Sequence, residues 1–141
     1  MKNLWPTSFD EQEAQSPKEI LEQQAKFLPT ITEEMVFAVL EQIEENLFDS
    51  YLYGLKGDFF YQFLLKSTFL PNYQFRVMTL IHDIAIYPIY LKLEDEIGKE
   101  LKLEKSVKLN DEEEFINFIE ILFNSERIKK VIGAMIKLAK S

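Results

Sequence analysis

His82 is the single histidine of the chain, and Asp83 follows it directly. An imidazole beside a carboxylate is the pairing that general-base chemistry uses. Successive strand residues point to opposite faces, so Asp83 can orient His82 only where the strand has already ended. The pair therefore reads as a histidine hydrogen-bonded at the rim of a sheet. His82 and Tyr87 together mark a candidate rim or ligand site. Lys66-Ser67 and Lys105-Ser106 put a serine beside a lysine, too common a juxtaposition to signal a nucleophile. The carboxylates at Asp10-Glu11-Glu13, Glu94-Asp95-Glu96 and Asp111 to Glu114 fall in loops or at a helix start, where solvation and the helix dipole account for them. None has the order of a calcium loop. Phosphate-binding glycine loops, a nucleophile elbow and a zinc-protease helix motif are all missing. With no cysteine and one histidine, disulfides, thiolate chemistry and zinc patterns drop out as well. No catalytic residue, metal ligand or cofactor is expected.

The elements that position these residues follow from periodicity. Ser16-Pro17-Lys18-Glu19 starts a helix, with Ser16 as cap, Pro17 in the first turn and Glu19 completing a capping box. Ile20, Leu21, Ala25, Phe27 and Leu28 share one side of it up to Pro29. Residues 1–15 are an arm, with Trp5 as its anchor. Between Thr32 and Asn46 a helical stripe competes with a buried strand, and the strand reading is preferred. Asp58 to Lys66 alternates as a strand rich in aromatics, preceded by a hairpin loop at Gly54-Leu55-Lys56-Gly57. Tyr73 to His82 alternates most regularly, with Phe75, Val77, Thr79 and Ile81 opposite Arg76, Met78, Leu80 and His82. Ile86 to Leu93 adds a strand whose Pro88 belongs at an edge, a bulge or the strand start. Glu94-Asp95-Glu96 closes that strand into solvent. Ile97 to Leu109 is poorly determined beyond a short strand at Val107 and Leu109. Asn110 caps a helix carrying the stripe Phe115, Phe118, Ile119 and Leu122. Ser125 caps a last helix on which Ile128, Val131, Ile132, Met135, Ile136 and Ala139 repeat the spacing.

The expected fold is α+β: an antiparallel meander of four to five strands, preceded by one helix and followed by two, in a single domain over residues 1–141. A chain of 141 residues with 47% hydrophobic side chains can bury a core without metal or disulfide staples. The aromatics between Tyr51 and Tyr90 could line a cup for a small apolar ligand, although rings in strands more often fill the core. A one-sided sheet should be polar on its second face. Phe60, Leu64, Met78 and Leu80 are apolar there, so either the helices divide between the faces or another chain covers these four residues.

A formal charge of −8 argues against nucleic acid as a partner. The stretch from Met1 to Phe9 lacks the apolar core of a secretory signal. The longest apolar run, about Ile84 to Leu91, is far below the ~20 residues of a membrane span. A cytoplasmic location follows as the expectation. Charge is unevenly divided, since residues 126–141 carry Arg127, Lys129, Lys130, Lys137 and Lys140 against Glu126 alone. Those cations suit the solvated face and the C-terminal dipole of the last helix.

Leu4-Trp5-Pro6, the run Ser16 to Ala25, the aromatic run Phe59 to Phe63, Asn72-Tyr73, His82, Tyr87-Pro88 and Ser125-Glu126 with Lys129-Lys130-Val131-Ile132 occur in an order that resembles a family of short uncharacterised bacterial proteins. That family carries no assigned activity, so the resemblance implies no site residue. The functional expectation is a non-enzymatic module that binds a protein partner or itself as a homodimer, with a small-molecule-binding domain as the alternative.

Overall fold

The computed structural model describes residues 1–44 and 57–141. Helix α1, Pro17–Ala25, begins where the capping residues place it: the Ser16 hydroxyl accepts the Glu19 amide at 3.2 Å. Ile20 and Leu21 are its buried side chains, along with Pro17. The chain does not run on to Pro29. It turns at Lys26 into α2, Phe27–Ile31, and Pro29 sits in the first turn, where its missing amide has no intrahelical partner to lose. This change of direction takes Phe27 off the buried stripe and leaves it 61% exposed. Thr32 ends α2, accepting the Val36 amide at 3.1 Å and directing the chain into β1.

Strands β1 (Phe37–Ile43), β2 (Phe59–Lys66), β3 (Gln74–His82), β4 (Ile89–Leu93) and β5 (Val107–Leu109) form one antiparallel sheet in chain order. The strand preferred for Thr32 to Asn46 is β1, shorter at both ends, and Pro88 lies just before β4. The hairpin-loop residues Gly54, Leu55 and Lys56, the strand limit Asn46 and the ring of Tyr51 lie outside the described residues. Gly57 is described. A Cβ there would stand 2.6 Å from the Ile81 side chain and 2.8 Å from the His82 carbonyl, so the approach requires glycine.

Strict alternation along β3 is broken. Phe63 pairs with Met78 but Leu64 with Arg76, so Val77 is an extra residue and the side-chain phase reverses across it. Phe75, Met78, Leu80 and His82 consequently share one face with Phe59, Tyr61, Phe63 and Leu65 of β2 and with Ile89, Leu91 and Leu93 of β4. All the described helices that enter the main core pack on this face, through Ile20, Leu21, Ile97, Phe115, Ile119, Leu122, Ile128, Val131 and Met135. Among the described residues the helices therefore do not divide between the two faces. Phe60 and Ile81 form a separate small cluster with Ile43 and Tyr90 on the other side.

Two C-terminal corrections concern helix starts. Glu94 does not dissolve into solvent: its carboxylate accepts the Ile97 amide and caps α3, Asp95–Leu101, in the stretch left undetermined by periodicity. Helix α4, Glu112–Phe123, is capped by Asp111 rather than Asn110, the Asp111 carboxylate accepting the Glu114 amide at 2.8 Å. The reciprocal partner is Glu114, which accepts the Asn110 amide. Helix α5, Glu126–Ala139, starts at Ser125 as its spacing requires.

Candidate functional site

At the C-terminal end of β3, His82, Asp83 and Tyr87 each make a hydrogen bond within the fold. His82 is buried, with its ring stacked between Phe59 at 5.2 Å and Tyr61 at 5.8 Å. Its Nδ1 donates to the Asp83 carbonyl at 2.8 Å, which assigns the Nδ1–H by chemistry, since a carbonyl can only accept. The Asp83 carboxylate turns away and accepts the Ala85 amide. The Asp83 carboxylate therefore does not orient the imidazole; its backbone carbonyl does. Tyr87 donates its hydroxyl to the Gln15 carbonyl at 2.8 Å, tying the arm to the loop after β3. Burial, and behind it the carboxylates of Glu112, Asp111 and Glu19, push its pKa up to about 12, so the hydroxyl keeps its proton. Burial and Glu22 raise Tyr61 in the same direction. His82 and Tyr87 are thus both bound into the scaffold.

The four residues expected on a second face do not share one. Met78 and Leu80 lie in the helix-covered core, because the Val77 bulge reverses their direction, while Phe60 and Leu64 point to the opposite side. All four are buried.

Unsheltered apolar surface lies elsewhere. One pocket, about 180 Å³, opens between α2, the sheet and the α4–α5 corner. Phe27, Leu28, Ile31, Phe63, Phe123 and Ile132 are among its lining residues, and Phe63 and Phe123 stack at 5.8 Å. A larger groove, about 480 Å³, runs along α5 beside the turn between β2 and β3. Its floor is Leu70, Val131 and Met135, its edges are Tyr73, Ala134 and Leu138, and its cations are Arg127 and Lys130. Tyr73 and Leu138 are 46% and 60% exposed. No family model, curated protein or solved structure matches this chain. The geometry is therefore the ground for any functional reading.

Arg127 anchors one edge of the groove. It pairs with Glu94 at 3.2 Å and lies over the Phe75 ring at 5.4 Å, a position that fixes the guanidinium without a ligand. Among the described residues Lys130 and Lys137 make no ion pair. Periodicity identified the buried stripe of α5, Val131 included, but passed over Ala134 and Leu138, which continue from Val131 at spacings of three and four on the adjoining side. That spacing was the available signal. Nothing in the local pattern separates Phe27 from Leu28, because its exposure depends on the turn at Lys26. Among the described residues no group of His, Asp or Glu side chains is placed to hold a metal ion, and no helix is long and apolar enough to cross a membrane.

Proposed function

We propose that this protein is a non-enzymatic protein-binding or self-associating module whose contact surface is the α5 groove. The observation that carries the reading is the pairing of exposed Tyr73 and Leu138 with Lys130 over an apolar floor. An aromatic anchor, an aliphatic edge and a cationic rim are the components of a protein contact site. A small polar substrate would instead need convergent polar groups inside an enclosed cavity. The test is quantitative co-purification of the native protein against Leu138→Glu and Ala134→Glu, both at exposed helix positions that leave the core intact. Loss of specific associated proteins, or of self-association, in both variants supports the reading. Identical recovery with the native chain and both variants overturns it.

The pocket between α2 and the sheet favours a second reading, a site for a small apolar ligand, because Phe27, Phe63 and Phe123 line it and Phe27 and Ile31 stand exposed at its mouth. At about 180 Å³ it is smaller than the roughly 300 Å³ at which most ligand sites begin. Displacement of a fluorescent apolar probe from the native protein, lost in Ile132→Trp, would support this alternative. Equal probe binding by both would remove it.

A further inference from the structure

We infer that the α5 groove is filled by the N-terminal arm of a second copy of this chain, an arm-exchanged homodimer; this rests on the protein-binding reading and names its partner. The arm is chemically matched to the groove. Residues 1–15 present Leu4, Trp5 and Phe9, which are 78%, 75% and 68% exposed, so Trp5 does not anchor the arm on its own chain as its size suggests. Immediately after them come Asp10, Glu11 and Glu13. The groove offers the complementary order: an apolar floor of Leu70, Val131 and Met135, and beside it the cations of α5. In a chain of net charge −8, α5 is where basic residues gather, and Lys130 and Lys137 make no ion pair among the described residues. An apolar segment followed by carboxylates fits an apolar floor edged by Lys130, on a helix that carries further cations.

Reach keeps Phe9 out of the arm's own groove. The arm is held at the far end of β3, where Gln12 donates to the Ala85 carbonyl at 3.3 Å and Tyr87 to that of Gln15. The groove opens at the other end of this nine-residue strand, beside Leu70 and Tyr73. The nine residues of β3 make eight intervals of about 3.3 Å, a separation of roughly 26 Å. The chain from Gln12 to Phe9 spans at most about 11 Å, and that from Gln12 to Trp5 about 25 Å. The Phe9 ring falls short of its own groove and Trp5 lies at the limit of reach, whereas two copies related by a twofold axis exchange both arms in equivalent contacts.

The chain carries one tryptophan, so Trp5 reports on its own burial. Sedimentation and tryptophan emission are measured together on the full chain from 1 to ~100 micromolar. The expected result is a dimer at the upper end, with emission shifted to the blue, and a red-shifted monomer on dilution or in high salt. Trp5→Ala with Phe9→Ala, and separately Leu138→Glu, each give monomers with unchanged circular dichroism. Mixing these two variants restores a dimer, because one supplies an intact groove and the other an intact arm. A dimer that survives both variants overturns the exchange, as does a mixture that stays monomeric. A native chain that is monomeric at every concentration overturns it too. If that monomer still shows groove-dependent partners in the co-purification, the protein-binding reading stands without the exchange. If it shows none, both readings fall.

Discussion

The two ends of β3 bear different kinds of surface. At the His82 end, where the sequence shows its most reactive-looking residues, each of these side chains is held by a contact within the fold: His82 through Nδ1 to Asp83 and against two rings, Asp83 with Ala85, Tyr87 with Gln15. At the Tyr73 end the residues look ordinary, yet Tyr73 and Leu138 remain exposed around an apolar groove. Side-chain chemistry draws attention to the first end, and exposed apolar surface lies at the second. A histidine whose ring is clamped and whose donor is engaged cannot also serve a substrate at that nitrogen.

Four measurements would break or sharpen this contrast. The strand between the two ends should be the least tolerant, because Leu80 is fully buried beneath the helices. Leu80→Glu is expected to unfold the chain, with a loss of ~4 kcal/mol or more in denaturant titration, since no partner waits for the charge. A folded, dissociated Leu80→Glu would show that this residue belongs to an interface after all. At the closed end, His82→Gln should cost about 2 kcal/mol, combining the lost ring stacking with one hydrogen bond, and leave self-association unchanged. Loss of association in a folded His82→Gln would move the site to that end.

The third effect depends on pH. Tyr87 has its pKa raised from 10.0 to about 12, so above pH 10 the folded chain holds a proton that the unfolded chain releases. Stability should therefore fall as pH rises from 10 to 12, and Tyr87→Phe should reduce that slope in alkaline titrations followed by circular dichroism. An unaltered slope would mean that the hydroxyl is not held as its contacts indicate. Smallest of all, Leu138→Glu at the open end should change stability by less than about 0.5 kcal/mol in thermal unfolding. A larger loss would show that the groove is closed structure rather than free surface.

The α+β arrangement was legible because its signals are local. Alternation marks β2 and β3, Ser16 and Ser125 cap as their spacing requires, and the stripes of α4 and α5 match the buried residues Phe115, Ile119, Leu122, Ile128, Val131 and Met135. What was not legible depends on residues far apart in the chain. The Val77 bulge turns Met78 and Leu80 inward, and no property of the string Phe75 to Ile81 reveals an extra residue relative to β2. The cap shift from Asn110 to Asp111 is a choice between two residues of similar capping ability. Glu94 reads as a surface charge until Arg127 and the Ile97 amide are seen around it. For the candidate site, the clue was Leu138 lying off the main stripe of α5, while the floor at Leu70 comes from a turn distant in sequence.

The strictly sequential order of the sheet also sets a timetable for synthesis. Each strand finds its neighbour in the segment made just before it, so pairing can begin while the rest of the chain is still being translated. Its covering layer obeys the opposite logic. Helix α1, made before the strands, packs against α4, and the core under both includes α5, made after them. Until those final helices emerge, the nascent sheet shows an oily face to the cell. Premature termination within α5 would prolong that exposure, making a short truncation there more prone to aggregate than an equally short one in the arm.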